Sequence, residues 1–176
     1  MNHDSYSDDY IAGILTDCRV IAMVGASANT SRPSYFAMKY LLAKGYRVIP
    51  INPGLAGQNI LGQAVAASLA DLSAPVDMID IFRNSEAALE VTREAISLKD
   101  KLGLKVIWMQ LGVRNDVAAA DAEAAGLRVI MNRCPKIEYA RLSGEIGWAV
   151  VNKGLISSRR PILGVGVQSQ LIAPKE

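Results

Sequence analysis

Histidine occurs once in this chain, as His3, inside an acidic and polar opening stretch. A histidine general base at the end of a strand is therefore excluded. Cysteine occurs twice, as Cys18 and Cys134, far apart and in neither a metal-ligand nor a redox spacing. Free thiols of this kind suit a reducing compartment. A large excess of charge is missing too. The formal net charge is +2, and the basic residues are scattered apart from the pair Arg159-Arg160. That leaves no electrostatic footprint for a phosphate backbone and excludes nucleic acid as a partner. No run approaches the roughly 20 apolar residues needed to span a bilayer. The opening residues also lack the basic start and apolar run of a signal peptide. The expectation is a cytoplasmic protein with no membrane association.

What is present is the composition of one ordinary domain: 176 residues, 51% hydrophobic and 20% charged. A first helix is expected over residues 8–17, with Ser7 as its N-cap and Ile11, Ile14 and Leu15 inward. Apolar runs then alternate with helical stripes. Strands are expected over residues 19–24, 46–51, 78–82, 105–109 and 127–131. Between them, helices are expected over 34–44, over 85–102 closed by Gly103, and from a cap at Asn115 or Asp116 to Gly126. A last short helix runs to Leu142, and a short helical turn is expected near residues 68–72. Five strands alternating with helices imply a three-layer α/β/α domain on a five-stranded parallel sheet. Residues 1–18 then form an N-terminal helix, 19–142 the domain, and 143–176 an irregular C-terminal arm. That arm either packs on its own domain or is exchanged with a second subunit in a homo-oligomer.

In such a sheet, ligands bind outside the carboxyl ends of the strands. Those ends read Gly25-Ala26-Ser27, Asn52-Pro53, Arg83, Gln110-Leu111-Gly112 and Asn132-Arg133-Cys134. Turn preference accounts for the Gly, Asn, Pro and Ser residues, but less well for Arg83 and Gln110. The first turn, from Gly25 to Ser34, is rich in hydroxyls and leads into a helix whose free amides face an anion. Arg32 stands just before that helix, placed to add charge to a diphosphate. Glycines are absent from positions 27 and 30, where a G-x-G-x-x-G fingerprint needs them, and the second strand ends in Asn52-Pro53 with no acid for a ribose. NAD is disfavoured on both counts.

Six pieces, in order over about residues 19–142, carry a resemblance. They are Val24-Gly25-Ala26-Ser27, Arg32-Pro33-Ser34, the run from Gly45 to Pro53, the run from Val76 to Arg83, Trp108-Met109-Gln110-Leu111-Gly112-Val113, and Asn132-Arg133-Cys134-Pro135. In these the chain resembles the small stand-alone CoA-binding proteins, which share the Rossmann-like CoA-binding domain of succinyl-CoA synthetase α subunits. The resemblance implies coenzyme A as the cofactor. It assigns the diphosphate to the turn carrying Gly25, Ala26, Ser27, Arg32, Pro33 and Ser34, and the ribose phosphate to Asn52 and Pro53. It assigns the adenosine to Phe82 and Arg83, and the pantetheine arm to Gln110 through Gly112. Family members usually place a lysine after the Asn-Pro pair, and this chain has Gly54 there. A cation for the 3′-phosphate must then come from Arg83 or Arg32. Synthetase activity does not carry over, because the phosphorylated histidine of that enzyme has no counterpart here.

Cys134 has two readings, a partner for the thiol end of a bound ligand or a small residue filling a strand–helix corner. Asp77 and Asp80 fall on opposite faces of their strand and make no catalytic pair. Glu138 and Arg141 read as an ion pair, and Trp108 as core. No catalytic set emerges. The expected function is a non-catalytic carrier, sensor or regulator binding coenzyme A or acyl-CoA. The alternatives are an NADP-dependent reductase, with Arg83 on the 2′-phosphate, an acyl-CoA transferase, or one subunit of a two-chain synthetase.

Overall fold

Runs of branched apolar residues form the strands of a central sheet, because both of its faces are covered and each strand must be apolar on both. The computed structural model describes residues 1–73 and 75–145. β1 (Val20–Val24), β2 (Arg47–Ile51), β5 (Met78–Ile81), β6 (Val106–Met109) and β7 (Arg128–Ile130) form a parallel sheet in the order β2-β1-β5-β6-β7. Register runs from Val20 opposite Arg47, through Met78 opposite Ile21 and Val106, to Arg128 opposite Val106. The chain therefore starts in the interior of the sheet, adds β2 on one side and then β5, β6 and β7 on the other.

One face buries α1 (Asp8–Asp17), α2 (Pro33–Ala43) and α6 (Pro135–Leu142), through Ile14, Leu41, Met23, Trp108 and Tyr139. The other buries α3 (Ser85–Ser97), α4 (Lys99–Leu102) and α5 (Asp116–Ala124), through Ala88, Ala95, Ile79, Ile107 and Ala122. This is the expected α/β/α arrangement. The buried Trp108 is satisfied by donating its indole N–H to the Arg133 carbonyl at 2.8 Å. Asp77, at the start of β5, accepts from the backbone N–H groups of Arg19 and Val20 and pairs with Lys105 at 2.7 Å. Glu138 and Arg141 pair at 2.8 Å.

Two expectations are corrected. The helix read over 85–102 is interrupted at Leu98, where the backbone takes φ −102°, ψ 2°, before the short α4 ends on the left-handed Gly103. Residues 68–72 are not helical. Asp71 Oδ2 accepts from both the Ser68 amide and hydroxyl, holding a tight turn, while a hairpin of β3 (Asn59–Ile60) and β4 (Gln63–Ala64) precedes it. The hairpin continues into Ala66, which bridges to Ile51 and covers part of the outer edge of β2.

The acidic and polar N-terminus around His3 is tied down. The Met1 ammonium pairs with Glu123 at 3.0 Å, Asp4 pairs with Arg114 at 2.7 Å, and the His3 ring meets the Tyr6 hydroxyl at 3.0 Å. The stacked rings of Tyr6 and Tyr10 bring their hydroxyls to the free edge of β7. Tyr10 donates to the Val129 carbonyl and accepts from its N–H, and Tyr6 accepts from the Met131 N–H at 2.8 Å. Two side chains thus satisfy backbone groups that an edge strand otherwise offers to a neighbouring molecule.

At the other end, Glu145 is buried beside α2. Its carboxylate accepts from the Tyr40 hydroxyl at 2.8 Å and forms an ion pair with the buried ammonium of Lys44. Of the C-terminal arm, residues 146–176 and the exchange expected of them lie outside the described residues. Among the described residues no helix is long and apolar enough to cross a membrane.

Candidate functional site

The winding direction reverses between β1 and β5, so the connections that leave these two paired strands turn to opposite faces of the sheet and leave a crevice. Gly25 follows β1 with φ 86°, and its amide donates to the Ile51 carbonyl at 3.0 Å. A Cβ at this position would strike the Phe82 carbonyl oxygen and lie 3.2 Å from Arg83 Cδ. Glycine here lets the turn after β1 lie directly against the end of β5. Asn52 locks the same turn from the other side. Its Nδ2 donates to the Ala26 carbonyl at 2.8 Å and its Oδ1 accepts from the Gly54 amide at 2.9 Å. The turn also braces itself, since Ser27 Oγ accepts from the Asn29 amide and Asn29 Oδ1 accepts from the Ser31 amide and hydroxyl.

Above this crevice lies a cleft of about 820 Å³, large enough for a nucleotide cofactor. Gly25, Ala26, Ser27, Arg32, Pro33, Ser34, Asn52, Phe82, Arg83, Gln110 and Cys134 line it. Eleven residues read from five separate strand ends are thus brought to one wall. Pro53 and Gly112 are not. Pro53 lines a neighbouring cleft of about 340 Å³, which shares Gly25, Asn52 and Arg83 with the first and carries Glu90 and Glu94. Gly112 is spent on the scaffold: its amide donates to Asn132 Oδ1 at 2.8 Å, tying the turn after β6 to the end of β7. Asn132 holds a left-handed conformation to make this contact, as asparagine does more readily than most residues.

Sequence reasoning missed Phe36, Ala37, Val113, Lys136 and Ile137, which also line the cleft, as do Ser31 and Leu111 inside two of the turns it singled out. A signal for Lys136 and Ile137 was available. They stand in the first turn of the helix after β7, as Pro33 and Ser34 do after β1. Phe36 carried none, because an isolated apolar residue on a helix surface is ordinary.

The cleft is electropositive. Arg32, Arg83 and Lys136 border it, and no carboxylate or imidazole does among the described residues. Two helix N-termini add to this field. α1, α3 and α5 are capped by the side chains of Ser7, Asn84 and Asn115. α2 and α6, the two helices that open onto the cleft, each begin with proline and have no side-chain cap. In α2 the Tyr35 amide donates to the Arg32 carbonyl at 3.0 Å, which leaves the Ser34 amide for an anion, whereas in α6 the amides of Lys136 and Ile137 lie against the Cys134 thiol. The Cys134 thiol sits at the start of α6, where burial raises its pKa and the nearby Asp80 carboxylate acts the same way. It is therefore a protonated thiol at neutral pH, and a poor nucleophile. Burial likewise pushes Cys18 up to about 12.

Beneath the floor, Asp80 is fully buried in β5 and accepts from Gln110 Nε2 at 2.9 and 3.1 Å. Burial pushes its carboxyl up to about 7, the Gln110 hydrogen bond opposing it. The folded chain thus holds a proton that the unfolded chain releases near pH 4. The stability associated with this group is greatest below that pH and is lost as pH rises through about 7. Asp80→Asn, which keeps an acceptor for Gln110, is expected to raise stability by roughly 2–3 kcal/mol at pH 8 and by little at pH 4. Urea denaturation of both proteins across this range checks the sign; equal stability differences at the two pH values would remove the buried-charge explanation.

Residues 19–140 match the model of a family described as CoA binding domain. The protein YneT of Bacillus subtilis strain 168, described as uncharacterized, is 32% identical over 130 residues, which span 74% of this chain and 92% of that protein. A hypothetical protein from Pyrococcus horikoshii OT3 is 35% identical, with a TM-score of 0.73 over 81% of this chain and 96% of its own. A Thermus thermophilus protein of known structure is 33% identical, with a TM-score of 0.71 over 77% and 98%.

Proposed function

This chain belongs to the CoA-binding domain family, and we propose that it binds coenzyme A or its thioesters in the larger cleft, as a non-catalytic carrier, sensor or regulator. The observation that carries this reading is the charge of the cleft: three cationic side chains and two uncapped helix N-termini, with no anionic residue along its wall among the described residues. A diphosphate beside Arg32 and the first turn of α2 meets both a guanidinium and the Ser34 amide. Arg83 lines both clefts, as Asn52 does, and supplies the cation that Gly54 does not. The smaller cleft carries Glu90 and Glu94, so it suits a neutral base better than a phosphate. A non-catalytic role is supported by the lining itself. Without a carboxylate or imidazole the cleft has no general base, and Cys134 is held as a thiol.

Titration calorimetry of the reduced protein with coenzyme A, dephospho-coenzyme A, NADP and NAD tests the reading. Micromolar binding of coenzyme A, about −8 kcal/mol, with none of NAD, is the expected result. NADP binding alone would move the assignment to a reductase, since Arg83 can meet a 2′-phosphate as well as a 3′-phosphate. Arg83→Ala is expected to weaken coenzyme A about tenfold and dephospho-coenzyme A by less than twofold, in line with the loss of one charge-assisted hydrogen bond. Equal losses for both ligands would take the 3′-phosphate away from Arg83.

A further inference from the structure

The larger cleft changes character along its length. Arg83 and the turn after β1 stand at the reversal point, whereas Gln110 and Leu111 follow β6, and Cys134 to Ile137 follow β7, successively further along the sheet edge. At that further end Leu111 and Ile137 stand beside a single cation, Lys136, and Phe36 of α2 borders the same cleft. The large hydrophobic side chains exposed among the described residues are Met1, Phe36, Leu111, Val117 and Ile137. Three of these five, Phe36, Leu111 and Ile137, border this one cleft, at 50%, 55% and 38% exposure. They come from α2, the turn after β6 and α6, so no single amphipathic element explains the grouping. The Phe36 ring is held edge-on to Tyr35 at 6.4 Å, and Tyr35 is itself packed on the core.

Resting on the reading of this cleft as a coenzyme A site, we infer that it is built for an acyl thioester carrying an apolar acyl chain, and not for the free thiol. With the diphosphate at Arg32 and the turn after β1, the ligand runs outward along the sheet edge and its sulfur end reaches Leu111 and Ile137. A free thiol leaves Phe36, Leu111 and Ile137 in water. A medium-length acyl chain covers them, and burial of that shared apolar surface favours the thioester. Persistence of the thioester follows from the same lining. No base along the cleft directs water at the acyl carbon, and the protonated Cys134 does not exchange with it. The occupant is a small-molecule chain because the apolar residues continue the wall of the ligand cleft and do not form a separate flat patch.

The test is titration calorimetry of the full chain with coenzyme A, acetyl-coenzyme A and octanoyl-coenzyme A, each below its micelle concentration. Octanoyl-coenzyme A is expected to bind at least tenfold more tightly than acetyl-coenzyme A. Phe36→Asp and Ile137→Asp, both at surface positions that tolerate a charge, are each expected to cut that ratio at least fivefold. If coenzyme A binds and octanoyl-coenzyme A binds no tighter, the inference is wrong while the coenzyme A reading stands. If neither binds, both fall. An acyl preference that survives both substitutions places the chain elsewhere and overturns the inference. A self-association that Phe36→Asp abolishes, measured by sedimentation, makes a second copy the occupant and overturns it as well.

Discussion

Glu145→Ala is expected to lower the unfolding free energy by about 3–5 kcal/mol, the usual cost of stripping one partner from a buried ion pair. Lys44 and Glu145 are 2% and 1% exposed, so the ammonium left behind stays out of water without its carboxylate. The Tyr40 hydroxyl loses its acceptor in the same change. Burial, and after it the hydrogen bond and the negative charge of Glu145, raise the pKa of that hydroxyl, so it remains a donor throughout the accessible pH range. The pair joins the end of α2 to the segment that follows α6. Urea denaturation followed by circular dichroism measures the effect. Lys44→Met combined with Glu145→Leu removes both charges and is expected to recover most of the loss. A single substitution costing under about 1 kcal/mol would mean that water reaches the site.

Gly25→Ala is expected to weaken coenzyme A at least a hundredfold and to destabilise the fold by about 3 kcal/mol. Two penalties act together. A left-handed backbone costs an alanine about 1–2 kcal/mol, and the new methyl group meets the backbone of Phe82, 3.0 Å from its carbonyl carbon, where nothing can swing aside. Relief requires β1 and β5 to part at their carboxyl ends, where the crevice is formed. Gly13→Ala is the control. Gly13 lies within α1 with open space where a methyl group would stand, so alanine there is expected to stabilise by about 0.5–1 kcal/mol and leave binding unchanged. If Gly25→Ala binds and unfolds like the parent protein, the first turn is not the seat of the ligand.

The fold was legible because each strand of a covered parallel sheet is apolar throughout, and five such runs are separated by helical stripes. Runs such as Val20–Val24 and Val106–Met109 announce themselves without knowledge of their neighbours. Their strand ends were legible for the same reason, and most of the cleft wall follows from them. Details that depend on geometry between distant segments were not. Gly112 and Asn132 look like ligand-facing turn residues in sequence, yet they hydrogen-bond to each other across 20 positions. Asn52 reads as a phosphate neighbour and lines both clefts, and both ends of its amide are also held by the backbone of adjoining turns.

By itself, then, the sequence determined the α/β/α class, the number of parallel strands and the family, because these rest on local periodicity and on motifs that keep their order along the chain. Tertiary structure alone decided that the N-terminus seals the edge of β7 through Tyr6 and Tyr10, that Glu145 neutralises Lys44, and that Phe36, Leu111 and Ile137 meet at one cleft. These pairings join residues up to 125 positions apart. Local propensity has no term for such partners; they are chosen when packing removes water and each buried polar group must find a complement.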